Sequence, residues 1–310
     1  MENLVGAFKD DLGAKYSASR NTIRVYGGHL RRLADHLRNL GVSLTDATQE
    51  HLQEYLDRLQ TLPLSKHTIG RQISAFRAFY AFAEQRGLRR GNPTAGLEVP
   101  SYRKRLPTPA DDSESEMLAA STGTKTLWNM RDRLAIEIIK STGIRPFELV
   151  ALNIEDVNLA DGTIRLAGPA SKKRTFALSP PLIKDLTEYL AMIGGGAGPL
   201  IINRFRKRTT TRTVDRIFAK YAKATNTAII PRSLRHATAF KTVEQGKPEE
   251  VEESLGFTNP KSAAYYVRSI QRVRRGEKTP PEETISENTH QQSPKYPRGR
   301  PRRLFPTVPE

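Results

Sequence analysis

The chain has 310 residues, 37% of them hydrophobic, and a formal net charge of +17. That length sets the expectation of two globular units joined by a linker, and the excess of Lys and Arg makes a field that attracts polyanions, with nucleic acid the favoured partner. The lack of cysteine excludes disulfides, thiolate zinc sites and cysteine nucleophiles, and the scattered histidines do not form a metal-binding pattern, so neither metal nor cofactor is expected.

The N-terminal stretch has no apolar signal core, and no apolar run approaches the roughly 20 residues that span a bilayer. A cytoplasmic, nucleoid-associated location without membrane partners is the default expectation. From Thr22 to Leu40, Ile23, Tyr26, Leu30, Leu33, Leu37 and Leu40 recur every three or four positions and predict an amphipathic helix with arginines on its other face. Leu52, Tyr55, Leu56 and Leu59 predict a second helix. A third, capped by Ser65, carries Ile69, Ile73, Phe76, Phe79, Tyr80 and Ala83. Helical spacing alone accounts for the aromatic stripe, so it is assigned to a core and not to base stacking. Residues 1–90 therefore read as one all-helical domain.

Gly91, Pro93, Gly96, Pro100, Pro107 and Pro109 mark a linker over 91–111, with Arg103, Lys104 and Arg105 as basic DNA contacts within it. A helix is expected to start at Ser113, which stands at capping-box spacing from Glu116, and a longer one to run from Trp128 to Thr142, where Gly143 ends it. Strands over Thr163–Ala167 and Arg174–Leu178, joined through Gly168-Pro169-Ala170-Ser171-Lys172-Lys173, predict a β-hairpin with a basic tip. Helical patterns resume over 181–192, 211–223, 233–244, 248–255 and 262–268, giving a mostly α second domain over 112–275. Beyond Gly276 the chain is rich in Pro, Glu, Ser, Thr and Gln, which predicts a disordered tail over 276–310.

Arg145 follows the helix-ending Gly143 and precedes Pro146, a residue suited to the first turn of a helix. Its guanidinium is thus expected near a helix N-terminus, in a setting that favours an anion. The segment from Arg131 to Leu149 resembles the first arginine box of the tyrosine recombinases, the lambda-integrase and Xer-like superfamily. Pro231-Arg232-Ser233-Leu234-Arg235-His236 resembles their second box, and Leu255-Gly256-Phe257 followed by Tyr266 resembles the third box and the nucleophile. Residues Ser65 to Tyr80, with Asn92-Pro93 before the linker, are similar to their helical core-binding domain. The resemblance implies a mostly α fold in two domains that clamp DNA, the catalytic one carrying a small β-hairpin. It further implies a homotetramer acting on double-stranded DNA recombination sites, and site-specific cleavage and rejoining through a 3′-phosphotyrosine.

The chemistry asks for matching parts. Breaking a phosphodiester without a metal needs a nucleophile, cations on the non-bridging oxygens and an acid for the departing sugar oxygen. Tyr266 supplies a phenol, with Tyr265 the rival one position earlier; Arg145 and Arg235 supply bidentate cations. Of the two hairpin-tip lysines, Lys172 is expected to be the acid and Lys173 is the alternative; Lys173 and Arg174 otherwise serve as backbone contacts. Where the family commonly has histidine or another hydrogen-bonding ring, this chain has Arg232 and Phe257. Arg232 is expected to act as a third phosphate-binding cation, and the arginines together to lower the Tyr266 pKa. These two departures leave open a degenerate homologue that binds sites without cutting. In the tail, Pro297-Arg298-Gly299-Arg300-Pro301 resembles an AT-hook, in which Arg298 and Arg300 enter an A·T minor groove; a nonspecific basic tail is the alternative, and a plain architectural DNA-binding protein is the reading that the tail alone suggests. Integration, excision and dimer resolution are not separated by these residues.

Overall fold

Ser19, Thr48 and Ser65 each accept a backbone N–H three residues on, and these caps start three of the four helices among the described residues of the first unit. The computed structural model describes residues 2–16, 18–100, 106–167, 173–245, 250–257 and 260–277. The four helices are α1 (Glu2–Tyr16), α2 (Arg20–Asn39), α3 (Gln49–Gln60) and α4 (Lys66–Gln85). Their apolar stripes close on one core, in which Phe76, Phe79 and Tyr80 are fully buried, so the aromatic stripe of α4 is core. Helix α1 was not expected. Gly6 and Gly13 interrupt a thin stripe of Val5, Phe8 and Leu12, yet Phe8 packs edge-on against Phe79 with ring centroids 5.5 Å apart.

The segment expected as a linker, 91–111, is partly folded. Leu97 is buried in the first core and its carbonyl accepts from Arg77 Nη2 at 2.6 Å, while the Ala110 N–H donates to Ser233 O at 3.0 Å in the second unit. The chain divides into its two compact units between Lys104 and Arg105. Arg103, Lys104 and Arg105 lie outside the described residues.

The second unit runs α5 (Asp112–Ala120), α6 (Leu127–Thr142), α7 (Pro146–Ala151), β1 (Val157–Asn158), β2 (Thr163–Leu166), β3 (Arg174–Ala177), α8 (Pro180–Ile193), α9 (Thr211–Ala224), α10 (Pro231–Glu244), α11 (Glu250–Leu255) and α12 (Pro260–Arg274). Helix α6 is its axis: Leu134, Ala135, Ile136, Ile138 and Ile139 are all fully buried, and α5, α8 and α10 pack around it. Asp111, not Ser113, caps α5, because one carboxylate oxygen accepts both the Ser113 and Glu114 N–H groups, at 2.9 and 3.2 Å. The three strands pair antiparallel in the order β1-β2-β3, with Leu166 opposite Arg174; β1 is too short to carry a period in sequence. Lys172 lies outside the described residues, and Lys173 is exposed at the foot of β3. Helix α12 extends beyond the expected 262–268. Residues 278–310, with Arg298 and Arg300, are not among those described. Among the described residues no helix is long and apolar enough to cross a membrane.

Candidate active site

Gly143 ends α6 in a left-handed turn at φ 65°, where a Cβ would meet Leu255 and Thr238 side chains at 3.0 Å. This close approach lets the Gly143 carbonyl accept from Arg235 Nη1 at 2.7 Å, while Arg235 Nη2 donates to Leu255 O at 2.7 Å. Arg145, the N-cap of α7, sends Nη1 toward the Leu255 and Gly256 carbonyls at 3.3 and 3.4 Å. Backbone carbonyls from two separate turns thus fix both guanidiniums. Arg235 is buried, and that burial, followed by repulsion from Arg145, draws its pKa down to about 10, still a cation at neutral pH.

Arg145, Arg232, Arg235, His236, Phe257 and Tyr266 line one cleft of about 660 Å³. Tyr266 stacks on His236 with ring centroids 5.4 Å apart and meets Phe257 at 5.4 Å. The Phe257 ring lies under both guanidiniums, 5.8 Å from Arg145 and 5.6 Å from Arg235. Tyr265, about 100° around α12, is exposed and does not line the cleft. The arginines pull the Tyr266 pKa down, as expected, but they do not set its net value. Burial pushes the phenol up to about 12, outweighing Arg235, Arg232 and Arg145, which pull it down.

Arg174 also departs from expectation. Its side chain is 5% exposed, pairs with the equally buried Glu148 and donates to Ser254 O at 3.0 Å, so it is turned into the protein and not toward solvent. A β-strand sends alternate side chains to opposite faces, and at position 174 that face turns inward. Gly256, at φ 60°, is where a Cβ would press on the Arg174 guanidinium at 2.8 Å. Glu148 additionally accepts the Arg145 backbone N–H at 2.7 Å. It was missed, although a Glu three residues after an N-cap is a capping-box signal. Arg208 was missed as well: its Nη1 donates to the Val150, Ala151 and Leu152 carbonyls at 2.7, 2.9 and 3.1 Å and so ties down the far end of α7. His236 was read only as part of a motif. It is buried, bonds to Tyr266 Oη through Nδ1, and burial with Arg232 and Arg235 pushes it down to about 4.

Several cations around a phenol form an arrangement suited to attack on a phosphodiester. Residues 110–272 match the phage integrase family, and residues 5–87 match the phage integrase N-terminal SAM-like domain. The chain belongs to the phage integrase family and is a tyrosine recombinase. It is 30% identical over 270 residues to tyrosine recombinase XerC of Pelobacter propionicus, covering 84% of this chain and 89% of the relative. Its fold is similar to that of a lambda integrase (75–356) dimer bound to a COC' core site, with TM-score 0.68, 17% identity, and 86% of this chain and 95% of that chain covered. A lambda integrase tetramer bound to a Holliday junction gives TM-score 0.67 at 17% identity, covering 86% of this chain and 76% of that one.

Proposed function

We propose that this recombinase cleaves and rejoins double-stranded DNA at specific sites, with Tyr266 as the nucleophile of a 3′-phosphotyrosine intermediate. One observation carries the reading: the Tyr266 phenol shares a single cleft with Arg145, Arg232 and Arg235. Arg145 and Arg235 hold the non-bridging oxygens of the scissile phosphate, and Arg232, on the exposed side of α10, adds a third cation. Lys172 protonates the departing 5′ oxygen. Lys173, Arg103, Lys104 and Arg105 contact the DNA backbone, and Arg298 and Arg300 of the tail reach a minor groove. The two domains, about 1–90 and 112–275, clamp the duplex, and the working unit is a homotetramer spanning two sites, in line with the tetrameric integrase of similar fold. The protein acts in the cytoplasm at the nucleoid.

The test is covalent trapping on a nicked copy of a binding site first identified by sequencing the DNA that copurifies with the protein. Tyr266→Phe loses only the phenolic oxygen, so the denaturation-resistant adduct should vanish while binding stays within about twofold of the parent, a difference of under 0.5 kcal/mol. An adduct from Tyr266→Phe, or its loss in Tyr265→Phe alone, moves the nucleophile elsewhere.

A further inference from the structure

His236 stands one helical turn after Arg232 on α10 and makes a bond with each of its ring nitrogens. Nε2 accepts from Arg232 Nε at 3.3 Å, and Nδ1 is bonded to Tyr266 Oη. An arginine Nε–H can only donate, and a neutral imidazole carries one N–H. A ring whose Nε2 accepts must therefore hold its hydrogen on Nδ1, the nitrogen that faces the phenol. The ring is neutral at physiological pH, since burial and the neighbouring Arg232 and Arg235 hold its pKa near 4. Among the described residues, the charged and titratable groups that act on it are Arg232 and Arg235 from its own helix and Tyr266 from α12.

We propose that Arg232 locks His236 in its Nδ1–H tautomer, and that His236 is a catalytic hydrogen-bond donor to the Tyr266 oxygen and not the base that takes its proton. The proposal rests on the reading of Tyr266 as nucleophile. In cleavage the Tyr266 Oη–phosphorus bond forms as the bond from phosphorus to the 5′ oxygen breaks. The phenol passes its proton to solvent water and the 5′ oxygen takes one from Lys172, which water then reprotonates, so the exchange is proton-neutral and needs no net base. Negative charge gathers on Oη as its proton leaves, and the Nδ1–H is already aimed at it. In rejoining, the 5′-hydroxyl attacks the phosphotyrosine, and the departing phenolate meets the same donor. A ring held near 4 is a poor acceptor for a phenol held near 12, so the donor role fits the electrostatics better than the base role. The arginine at the family's ring position thereby gains a second task.

The tautomer is read directly from long-range ¹H–¹⁵N spectra of the full chain with ¹⁵N-labelled histidine, the His236 signals being assigned by their loss in His236→Asn. The expected result is a protonated Nδ1 in the parent and a shift toward the Nε2–H form in Arg232→Met. An Nε2–H ring in the parent, or an unchanged tautomer in Arg232→Met, overturns the lock. This readout uses no DNA, so it fails independently of the nucleophile assignment, which the Tyr266→Phe adduct assay decides. In single-turnover cleavage, His236→Asn keeps an amide N–H near the Nδ1 position and should stay within about tenfold of the parent, whereas His236→Leu should lose about 10²–10³-fold, the scale of one lost oxyanion-type donor. Asparagine cannot serve as a base. Equal loss in both variants would return His236 to the base role and sink the donor assignment.

Discussion

Replacing Glu148 by Met strands the Arg174 guanidinium in a site where both partners' side chains are only 5% exposed. Water cannot screen a cation so placed, and removing one member of a buried pair costs about 3–5 kcal/mol. Arg174→Met should cost a similar amount, lessened because the Glu148 carboxylate keeps the Arg145 N–H at 2.7 Å and lies 3.6 Å from Arg145 Nη1. In the double variant neither charge is left buried alone. Its cost should fall at least about 2 kcal/mol short of the sum of the singles, a coupling within the range for contacting residues. Trp128 is the sole tryptophan and lies on α6, so urea denaturation followed by its fluorescence reports on the second unit alone. Each single variant should also slow cleavage under conditions where it is folded, because Arg174 holds Ser254 O beside the carbonyls that receive Arg145 and Arg235. Single-variant costs below about 1 kcal/mol, or strict additivity in the cycle, would refute the role assigned to this pair.

The His236 imidazole, near 4 in the folded chain and about 6.5 when unfolded, contributes stability that is complete above about pH 6.5 and is lost as pH falls toward 4. Between those limits the Trp128-detected stability of the parent should drop by roughly 2–3 kcal/mol more than that of His236→Asn; matching pH slopes would contradict this. Phe257, half-buried under two guanidiniums and beside Tyr266, should tolerate Leu better than Ala. The Ala variant should cost about 1–3 kcal/mol by urea denaturation, below the roughly 3–5 of a fully buried ring, and equal costs for Leu and Ala would count against a packing role. Deleting 278–310 should weaken site binding and lower the slope of log affinity against log salt by about 0.9 per phosphate contact removed, while sparing cleavage. An unchanged slope would make the tail a spacer.

Much of the fold was legible because its signals are local. The stripes of α2, α3 and α4, the Ser65 cap and the Gly143 stop each depend on residues a few positions apart, and each is where periodicity and capping put it. Arg145, Arg235 and Tyr266 were legible from motif order, since spacing along the chain survives without knowledge of packing. Helix α1 escaped because its stripe is thin, and its place is secured by Phe8 meeting Phe79 on a distant helix.

The partners of the site residues were beyond the sequence for a physical reason: a hydrogen bond acts over about 3 Å, whereas the groups concerned are far apart in the chain. Arg174 and Glu148 are separated by 26 positions, Arg235 and Gly143 by 92, and Arg145 and Gly256 by 111. Nothing local states which face of β3 turns inward, so Arg174 looked like a DNA contact until the strand was set against α7. Likewise His236 is adjacent to Arg235 in sequence, but only the packing of α10 against α12 brings its ring to the Tyr266 oxygen. The sequence by itself determined most of the helices, the family, and the arginines and tyrosine that the fold gathers into one cleft. Tertiary structure alone decided which of those charges are buried struts, which line the cleft, and which nitrogen of His236 faces the phenol.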